Sequence, residues 1–206
     1  MKYTFYIFIL LFLGGVSAQK TIKKSILNPV IRSIQVDTNN CFEVLITTAD
    51  VAEVSAEVSI EGEYKDDLLL KIVENGATLV ISAGFQPNFI NLNDKLSAHK
   101  VVSISMRITI PEYKIIQMYG TSSNLRVRGS YEHIKISLSD GKCILDNVDG
   151  SIEVITQSGD ISVVSSAATI NAKSKYGVIS RENIPEGNTN FLLTTTTGDI
   201  DLHKTK

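Results

Sequence analysis

The chain contains no tryptophan, only two cysteines and only four prolines among its 206 residues. Because aromatic residues make up just 7%, a large stacking platform for sugars or bases is excluded, although tyrosine and phenylalanine suffice for a small one. Neither sign of charge dominates, with 20 lysine and arginine residues against 22 aspartate and glutamate residues. Nucleic-acid binding needs a basic stripe that neutralises phosphates, so we expect no nucleic-acid partner.

Sequence signatures of catalysis and metal binding are also missing. There is no Gly-x-Ser-x-Gly elbow, no His-Glu-x-x-His motif and no phosphate-binding loop with a lysine. The three histidines are His99, His133 and His203, and they are scattered, whereas a zinc site needs three or four convergent ligands. We therefore expect a protein that is not an enzyme, with no catalytic residues, no cofactor and no metal.

The first 18 residues have the form of an export signal. Lys2 gives a short basic start, residues 3–13 are almost entirely apolar, and residues 16–18 offer small side chains for cleavage. The apolar run is shorter than the ~20 residues that a membrane span requires. We expect residues 1–18 to be removed, leaving no membrane span, and the protein to be exported to the periplasm, the cell surface or the medium.

Four glycines recur in similar polar contexts at nearly equal intervals. They are Gly141, Gly159, Gly177 and Gly198, which lie 18, 18 and 21 residues apart. A fixed period of this size is typical of a chain that repeats one supersecondary unit. Glycine also suits a turn in which φ is positive, so we predict that conformation at these turns.

The residues around each glycine form columns of apolar side chains. Two positions after the glycine come Cys143, Ile161, Ile179 and Ile200, and the flanking residues alternate with the period of a strand. A fifth turn is predicted 18 residues upstream, where Ser123 takes the glycine position. The sequence therefore predicts a β-solenoid of five coils, each of about 18 residues, stacked in sequence order.

The upstream region has strand character without this period. Alternation is clearest over residues 102–110, where every even position is apolar and a proline follows. Residues 68–73 and 78–82 are separated by a segment with an Asn-Gly pair, which is a strong hairpin signal. We predict an all-β, single-domain fold in which residues 19–111 form an antiparallel β region that caps a solenoid of residues 112–206.

Acidic turn residues are the candidates for chemistry. Asp140 and Asp160 flank their glycines on coils predicted to be adjacent. An enzyme acting on polysaccharide would need both carboxylates to converge on one exposed face with Lys142 and Arg181. The simpler interpretation is that aspartate occupies turns for backbone reasons. A calcium-binding β-roll is rejected because only two Gly-Asp pairs occur, at Gly159 and Gly198, on coils predicted to be two apart.

The two cysteines are expected to be unbridged. Cys143 occupies an apolar column, which favours a small buried side chain, and nothing in the sequence brings it close to Cys41. No histidine has a placement that suggests activation of either thiol. We therefore predict no thiol chemistry.

Partner contact is predicted mainly in the segment at residues 84–100, which is long for a connection between two strands. The candidate contact residues are Phe85, Phe89, Asn91 and Asn93, together with Arg181, which interrupts an apolar column. The alternative is that this segment merely covers the end of the solenoid.

The turn motifs and the strand before Pro111 resemble a known family. Residues 157–161 read QSGDI and residues 196–200 read TTGDI. On these motifs the chain resembles the "putative adhesin" family of bacterial secreted β-solenoid domains, which includes head-domain autotransporter adhesins. The resemblance covers roughly residues 42–202, and the chain departs from the family pattern at Ser123 and Arg181. The resemblance implies surface attachment, and the family has no catalytic residues to carry over.

The resemblance and the lack of catalytic signatures together lead to one functional expectation. We expect a non-enzymatic secreted or cell-envelope scaffold that presents a rigid β surface to a glycan or a cell-surface protein. The alternative is an enzyme that acts on polysaccharide through acidic turn residues.

Overall fold

The structure, a computed structural model, describes residues 20–61, 65–86 and 103–205. These residues form fifteen strands and a short 3₁₀ turn at Lys65–Asp67, so the fold is all-β. The strands are β1 (Lys20–Ile26), β2 (Ser33–Asp37), β3 (Glu43–Ala49), β4 (Val54–Glu61), β5 (Leu68–Asn75), β6 (Thr78–Phe85), β7 (Ser103–Pro111), β8 (Ile115–Gly120), β9 (Asn124–Leu138), β10 (Lys142–Thr156), β11 (Asp160–Ser165), β12 (Thr169–Ser174), β13 (Ile179–Arg181), β14 (Asn190–Thr195) and β15 (Ile200–Lys204). In the described ranges, no helix has the length and apolar character needed to cross a bilayer.

The strands form two walls on either side of one core. Wall A contains, in order of pairing, β1, β4, β7, β3, the first halves of β9 and β10, β11, β15 and β13. Wall B contains β5, β6, β2, β8, the second halves of β9 and β10, β14 and β12. β9 and β10 pass from wall A to wall B around Gly129 and Gly150, whose φ angles are 103° and 127°. This arrangement is solenoid-like.

Each coil is a wall B strand, a tight turn and a wall A strand. The two strands of a coil do not pair with each other but with the equivalent strands of neighbouring coils, as when Cys143 pairs with Leu125 on one side and Ile161 on the other. Alternate residues of both walls are buried and belong to a single hydrophobic cluster. The predicted apolar columns are therefore confirmed, and they supply the burial that holds the coils together.

The order of the coils at the carboxyl end differs from their order in the sequence. β15 lies between β11 and β13, and β14 lies between β10 and β12. The apolar column therefore runs Cys143, Ile161, Ile200 and Ile179. The predicted sequential order is wrong here, because residues 182–189 carry the chain back from the outermost coil to a position one coil further in.

A similar exchange occurs at the amino end of the stack. β2 lies between β6 and β8, and β3 lies between β7 and β9. Val44 is in register with Leu125, so strand pairing runs without interruption across the division predicted at residue 111. The first and the last coils in the sequence thus each lie one position inside the stack, with a pairing partner on both sides.

Beyond β6 and β7 the pairing becomes antiparallel. β5 pairs with β6 as the predicted hairpin, and Gly76 in its turn has a φ of 59°. Lys20 and Lys24 of β1 donate hydrogen bonds from Nζ to the carbonyl oxygens of Asp66 (2.9 Å) and Leu70 (2.7 Å). These two bonds connect the last strand of wall A to β5, the last strand of wall B, and to the 3₁₀ turn before it.

Three of the four turn glycines are required by close stacking and not by positive φ. Only Gly141 has a positive φ, at 92°. A Cβ atom at Gly159 would lie 2.8 Å from the carbonyl oxygen of Gly141, and a Cβ atom at Gly198 would overlap the carbonyl oxygen of Gly159. Gly177 faces Gly198 in the same way. The prediction of positive φ is therefore wrong at Gly159, Gly177 and Gly198, since the constraint comes from the backbone of the next turn.

Ser123 holds its turn to the neighbouring coil with its side chain. Its buried Oγ lies 2.6 Å from the carbonyl oxygen of Thr38 and 2.7 Å from that of Cys41. Both carbonyls belong to the turn between β2 and β3, so the hydroxyl satisfies acceptors of the adjacent coil. This contact explains why the fifth turn departs from the glycine pattern.

Replacing Ser123 by alanine is expected to lower the free energy of unfolding by about 1–3 kcal/mol, because it removes the buried hydroxyl that the carbonyl oxygens of Thr38 and Cys41 share as a donor. Urea denaturation followed by circular dichroism measures the change. Ser122→Ala is the matched control, since Ser122 is exposed and its change is expected to stay within about 0.5 kcal/mol. Equal effects of the two substitutions would contradict this role for Ser123.

Candidate functional site

The acidic turn residues bind backbone groups of neighbouring turns. Asp160 Oδ1 accepts a hydrogen bond from the backbone N–H of Asp199 at 2.9 Å, and Asp199 Oδ1 accepts one from the N–H of Val178 at 2.7 Å. The turns of Gly159 and Gly198 are therefore adjacent and not two coils apart as predicted. Both carboxylates stabilise the stack, which favours the structural interpretation of these residues.

The proposed catalytic group does not converge as a whole, because Arg181 is separated from Lys142 and Asp160. Lys142 is in register with Asp160 on the neighbouring strand. Arg181 lies on β13, with β15 between it and β11, and it is in register with the inward-facing Leu202. Its Nη2 lies 3.4 Å from the carbonyl oxygen of Ala172 in β12. Asp160 is exposed on the outer side of wall A, so the structure separates it from Arg181.

The predicted contact residues are also placed apart. Phe85 is half-buried at the end of β6, where it pairs with Leu68 and packs against the core. Arg181 is exposed on β13 at the opposite end of the stack. Phe89, Asn91 and Asn93 lie outside the described residues. The structure therefore does not bring Phe85 and Arg181 together.

The histidines stand in separate surroundings. His203 Nδ1 on β15 lies 3.2 Å from Oε1 of Glu182, which directly follows β13, and His133 lies in wall B between Ile115 and Ser151. His99 falls outside the described residues. Over residues 20–61, 65–86 and 103–205, no group of three or more histidine, cysteine, aspartate or glutamate side chains could hold a metal ion.

Both cysteines are free and buried, as predicted. Burial raises the pKa of the Cys143 thiol to about 12. Burial, with a smaller contribution from the charge of Asp37, raises the pKa of the Cys41 thiol to about 12 as well. The thiolate is the nucleophilic form, so neither residue is suited to thiol chemistry at neutral pH.

The thiols are expected to react slowly with Ellman's reagent at pH 8 in the native protein, and both are expected to react promptly in denaturant. The absorbance of the released thiolate measures this. Prompt labelling of the native protein would contradict the burial of the thiols, and an absence of labelling in denaturant would show that they are bridged.

A groove lies on the outer face of wall B. It has a volume of about 570 Å³ and is called the Tyr119 groove here. Its lining residues are Asp37, Lys71, Val73, Glu74, Asn75, Val80, Ser82 and Tyr119. Four of them form one row across four neighbouring strands, in the order Lys71, Ser82, Asp37 and Tyr119. The size lies within the range of small-molecule sites, which is about 300–1,000 Å³.

Tyr119 forms part of the floor of this groove. Gln35 Nε2 donates a hydrogen bond to the Tyr119 hydroxyl. Gln35 lies on the neighbouring strand, two residues before Asp37, the direct partner of Tyr119. To reach Gln35 the ring must extend diagonally along the sheet surface, where it contributes to the lining of the groove. The half-buried Tyr119 is thus a small, fixed aromatic platform.

The charged groups around this platform differ in their hydrogen bonding. Asp37 Oδ1 accepts bonds from the backbone N–H of Asn39 (3.0 Å) and from its side-chain amide (2.9 Å), which hold the carboxylate in place. Glu74 Oε2 accepts a bond from Asn28 Nδ2 at 2.7 Å. Lys71 stands on the far side of Ser82 from Asp37. The groove therefore offers both an anchored acceptor and a cationic donor.

A second groove of about 340 Å³ lies on the outer face of wall A. It is lined by Thr21, Glu43, Leu45, Glu57, Ser59, Ser105, Met106 and Arg107. Glu57 is in register with Arg107 on the neighbouring strand. This groove is charged, but its described lining includes no aromatic ring, so the Tyr119 groove is the better candidate for recognition of a ligand.

Comparisons with known proteins agree with this architecture. The family profile described as Toastrack DUF4097 matches residues 31–206. Comparison with curated proteins gives no significant match. The "putative cell adhesion protein" of Clostridium sporogenes ATCC 15579 is 13% identical to this chain, with a TM-score of 0.66 over 91% of this chain and 100% of that one. At this identity the likeness is one of fold.

Two further solved structures are more distant. The "putative adhesin" of Bacteroides fragilis NCTC 9343 is 14% identical, with a TM-score of 0.44 over 91% of this chain and 100% of that one. The "putative lipid binding protein" of Parabacteroides distasonis ATCC 8503 is also 14% identical, with a TM-score of 0.34 over 93% of this chain and 98% of that one.

Proposed function

The chain belongs to the Toastrack DUF4097 family, and from this membership and the geometry of its outer faces we propose that it is a non-enzymatic, adhesin-like scaffold. It presents a rigid β surface to a glycan or a cell-surface protein. The observation that carries the proposal is the Tyr119 groove, an aromatic platform with fixed polar groups on a face of hydrogen-bonded strands. Sites built on strands hold their geometry more precisely than sites on loops.

Export fits this role. Residues 1–18 combine a basic start, an apolar run and small residues at the cleavage position, so we propose that they direct the chain out of the cytoplasm and are removed. The exported chain then meets its partner in the periplasm, at the cell surface or outside the cell. N-terminal sequencing of the secreted protein tests this, and a sequence beginning at Gln19 is the expected result.

The architecture suits a presenting surface. We propose that coils of about 18 residues form the repeating unit and that the antiparallel strands β1, β4 and β5 close the amino end of the stack. In such an arrangement each coil adds rigid area to both outer faces. The closed end would also keep the edge of the stack from pairing with another chain.

The contact residues predicted from the sequence remain part of the proposal as secondary sites. Phe85 borders the segment that contains Phe89, Asn91 and Asn93, and that segment follows directly on β6, a strand of the Tyr119 groove. Arg181 is exposed at the opposite end and would contact a partner separately.

An enzyme acting on polysaccharide is the alternative. Of its proposed acids, Asp140 and Asp160, the second has another task, since Asp160 accepts a backbone hydrogen bond from the neighbouring turn. The charged groove of Glu43, Glu57 and Arg107 on wall A supports the alternative only weakly, because Glu43 lies exposed at its rim.

The test is a glycan array and a cell-binding assay with residues 19–206, run beside a reducing-sugar release assay on the same glycans. Retention of the protein on glycans or on cells without release of sugar is the expected result. Release of reducing sugar with normal turnover would overturn the non-enzymatic proposal. A lack of retention on both glycans and cells would overturn the adhesin-like role itself.

A further inference from the structure

From the chemistry of the Tyr119 groove we infer that its ligand is an uncharged pyranose, as a single sugar or as a short neutral glycan. This inference rests on the proposed function and names the chemical class of the partner at one site. It rests on three features of the groove: an aromatic face, hydrogen-bonding groups on either side of a small residue, and a charge balance that does not favour anions.

The aromatic face suits the apolar side of a sugar ring. Tyr119 lines the groove, and the hydrogen bond from Gln35 holds its ring along the sheet surface, where a sugar could stack on it. A pyranose presents C–H groups on one side and hydroxyl groups at its edge. Stacking of the C–H side on a fixed ring places the hydroxyls against the walls of the groove, at small entropic cost to the protein.

The polar groups match hydroxyl groups in number and type. Asp37 next to Tyr119 can accept from a sugar hydroxyl while Asn39 holds its carboxylate in place. Lys71 lies two strands from Asp37, about 10 Å away at the usual strand spacing, with Ser82 between them. A sugar over Tyr119 would contact Asp37, and a second sugar toward Val80 would reach Lys71.

The charges of the lining favour a neutral ligand. On the outward side of the groove Asp37 is acidic and Lys71 is basic, so their charges balance. Glu74, in contrast, is in register with the inward-facing Leu79 and directs its carboxylate to the other side of β5. Burial of a uronic acid carboxylate would carry a desolvation cost that one lysine, itself balanced by Asp37, would offset only in part. An uncharged sugar avoids this cost and still uses both charged groups through strong hydrogen bonds.

Saturation-transfer NMR and calorimetry with residues 19–206 test the inference. The probes are lactose, cellobiose and a digalacturonate. We expect binding of at least one neutral disaccharide through its ring C–H protons, and weaker or absent binding of the digalacturonate. Tyr119→Ala is expected to weaken binding by about tenfold or more, because it removes the central aromatic contact. Tyr119→Phe keeps the ring but loses the hydrogen bond from Gln35, so it is expected to weaken binding less than Tyr119→Ala does.

Matched variants separate the groove from the rest of the surface. Lys71→Gln is expected to weaken binding several-fold, whereas Lys173→Gln and Tyr176→Ala, at exposed positions outside the groove, are expected to leave it unchanged. The thermal unfolding of each variant shows whether it is folded. If Tyr119→Ala does not fold, Tyr119→Phe takes its place in the test.

The outcomes also distinguish this inference from the proposed function. Binding that persists in Tyr119→Ala, stronger binding of the digalacturonate, or no binding of either neutral sugar would overturn the pyranose site. If the protein is still retained on glycans or cells in that case, the adhesin-like role stands and another surface carries it. If retention is also absent, both proposals fail together.

Discussion

Deletion of residues 190–206, the last coil in the sequence, is expected to unfold the carboxyl-terminal part of the protein. β14 and β15 lie between two other coils, so their removal strips β12 and β13 of their partners and exposes β11. The four inward residues lost are nearly fully buried; they are Phe191, Leu193, Ile200 and Leu202. At about 1.5–3 kcal/mol each, their burial contributes about 6 kcal/mol or more, comparable with the 5–15 kcal/mol of a whole domain.

Deletion of residues 169–189 is the matched control. It removes β12, β13 and the segment that returns the chain inward, and it joins residue 168 to Asn190, which keeps its pairing with Ser151. The coil removed is the outermost one, and its column residues Ile170 and Ile179 are only partly buried. We expect this shortened protein to stay folded by circular dichroism and limited proteolysis. A folded 190–206 deletion beside an unfolded 169–189 deletion would contradict the stacking order.

The substitution Gly198→Ala is expected to destabilise the protein by about 3 kcal/mol or more. The new methyl group would overlap the carbonyl oxygen of Gly159, and both sides of the contact are backbone, so relief by a side-chain movement is not available. The effect is measured as the change in the free energy of unfolding in urea. The expected value is large because the turn is enclosed between two other turns.

Gly76→Ala separates steric overlap from backbone conformation. Gly76 has a φ of 59° but has no atom within 4 Å of the position of a Cβ, so alanine there costs only its conformational strain, about 1–2 kcal/mol. Gly198 has no positive φ, so its cost must come from the neighbouring turn. A Gly198→Ala effect no larger than that of Gly76→Ala would show that the turns are not in close contact.

Much of the fold could be predicted from the sequence because each strand alternates and each column is apolar. The residues Cys143, Ile161, Ile179 and Ile200 do form one column. Their order could not be predicted, because Ile179 and Ile200 are chemically the same and either fits beside Ile161. One signal was present: Arg181 interrupts an inward column, and a charge is tolerated there only where no further coil covers it.

The candidate groove could not be predicted, because its residues come from strands that are distant in sequence. Lys71, Ser82, Asp37 and Tyr119 become neighbours only because β2 lies between β6 and β8. The sequence pointed instead to Asp140 and Asp160, whose type and position in turns are equally suited to backbone hydrogen bonds. A tyrosine at the outward position between buried Met118 and the turn was the available clue.

Disulfide cross-linking of paired cysteine substitutions tests the stacking order most directly. Ser162 and Asp201 are in register on neighbouring strands, as are Asp201 and Ser180, whereas Ser162 and Ser180 are two strands apart. Neighbouring strands are about 4.8 Å apart, within the Cα separation of about 4.4–6.8 Å that a disulfide spans, and a two-strand separation exceeds it. Upon mild oxidation, Ser162→Cys with Asp201→Cys is expected to cross-link and Ser162→Cys with Ser180→Cys is not. Asp201→Cys with Ser180→Cys serves as the positive control, and the reverse result for the first two pairs would show that the coils are stacked in the order of the sequence.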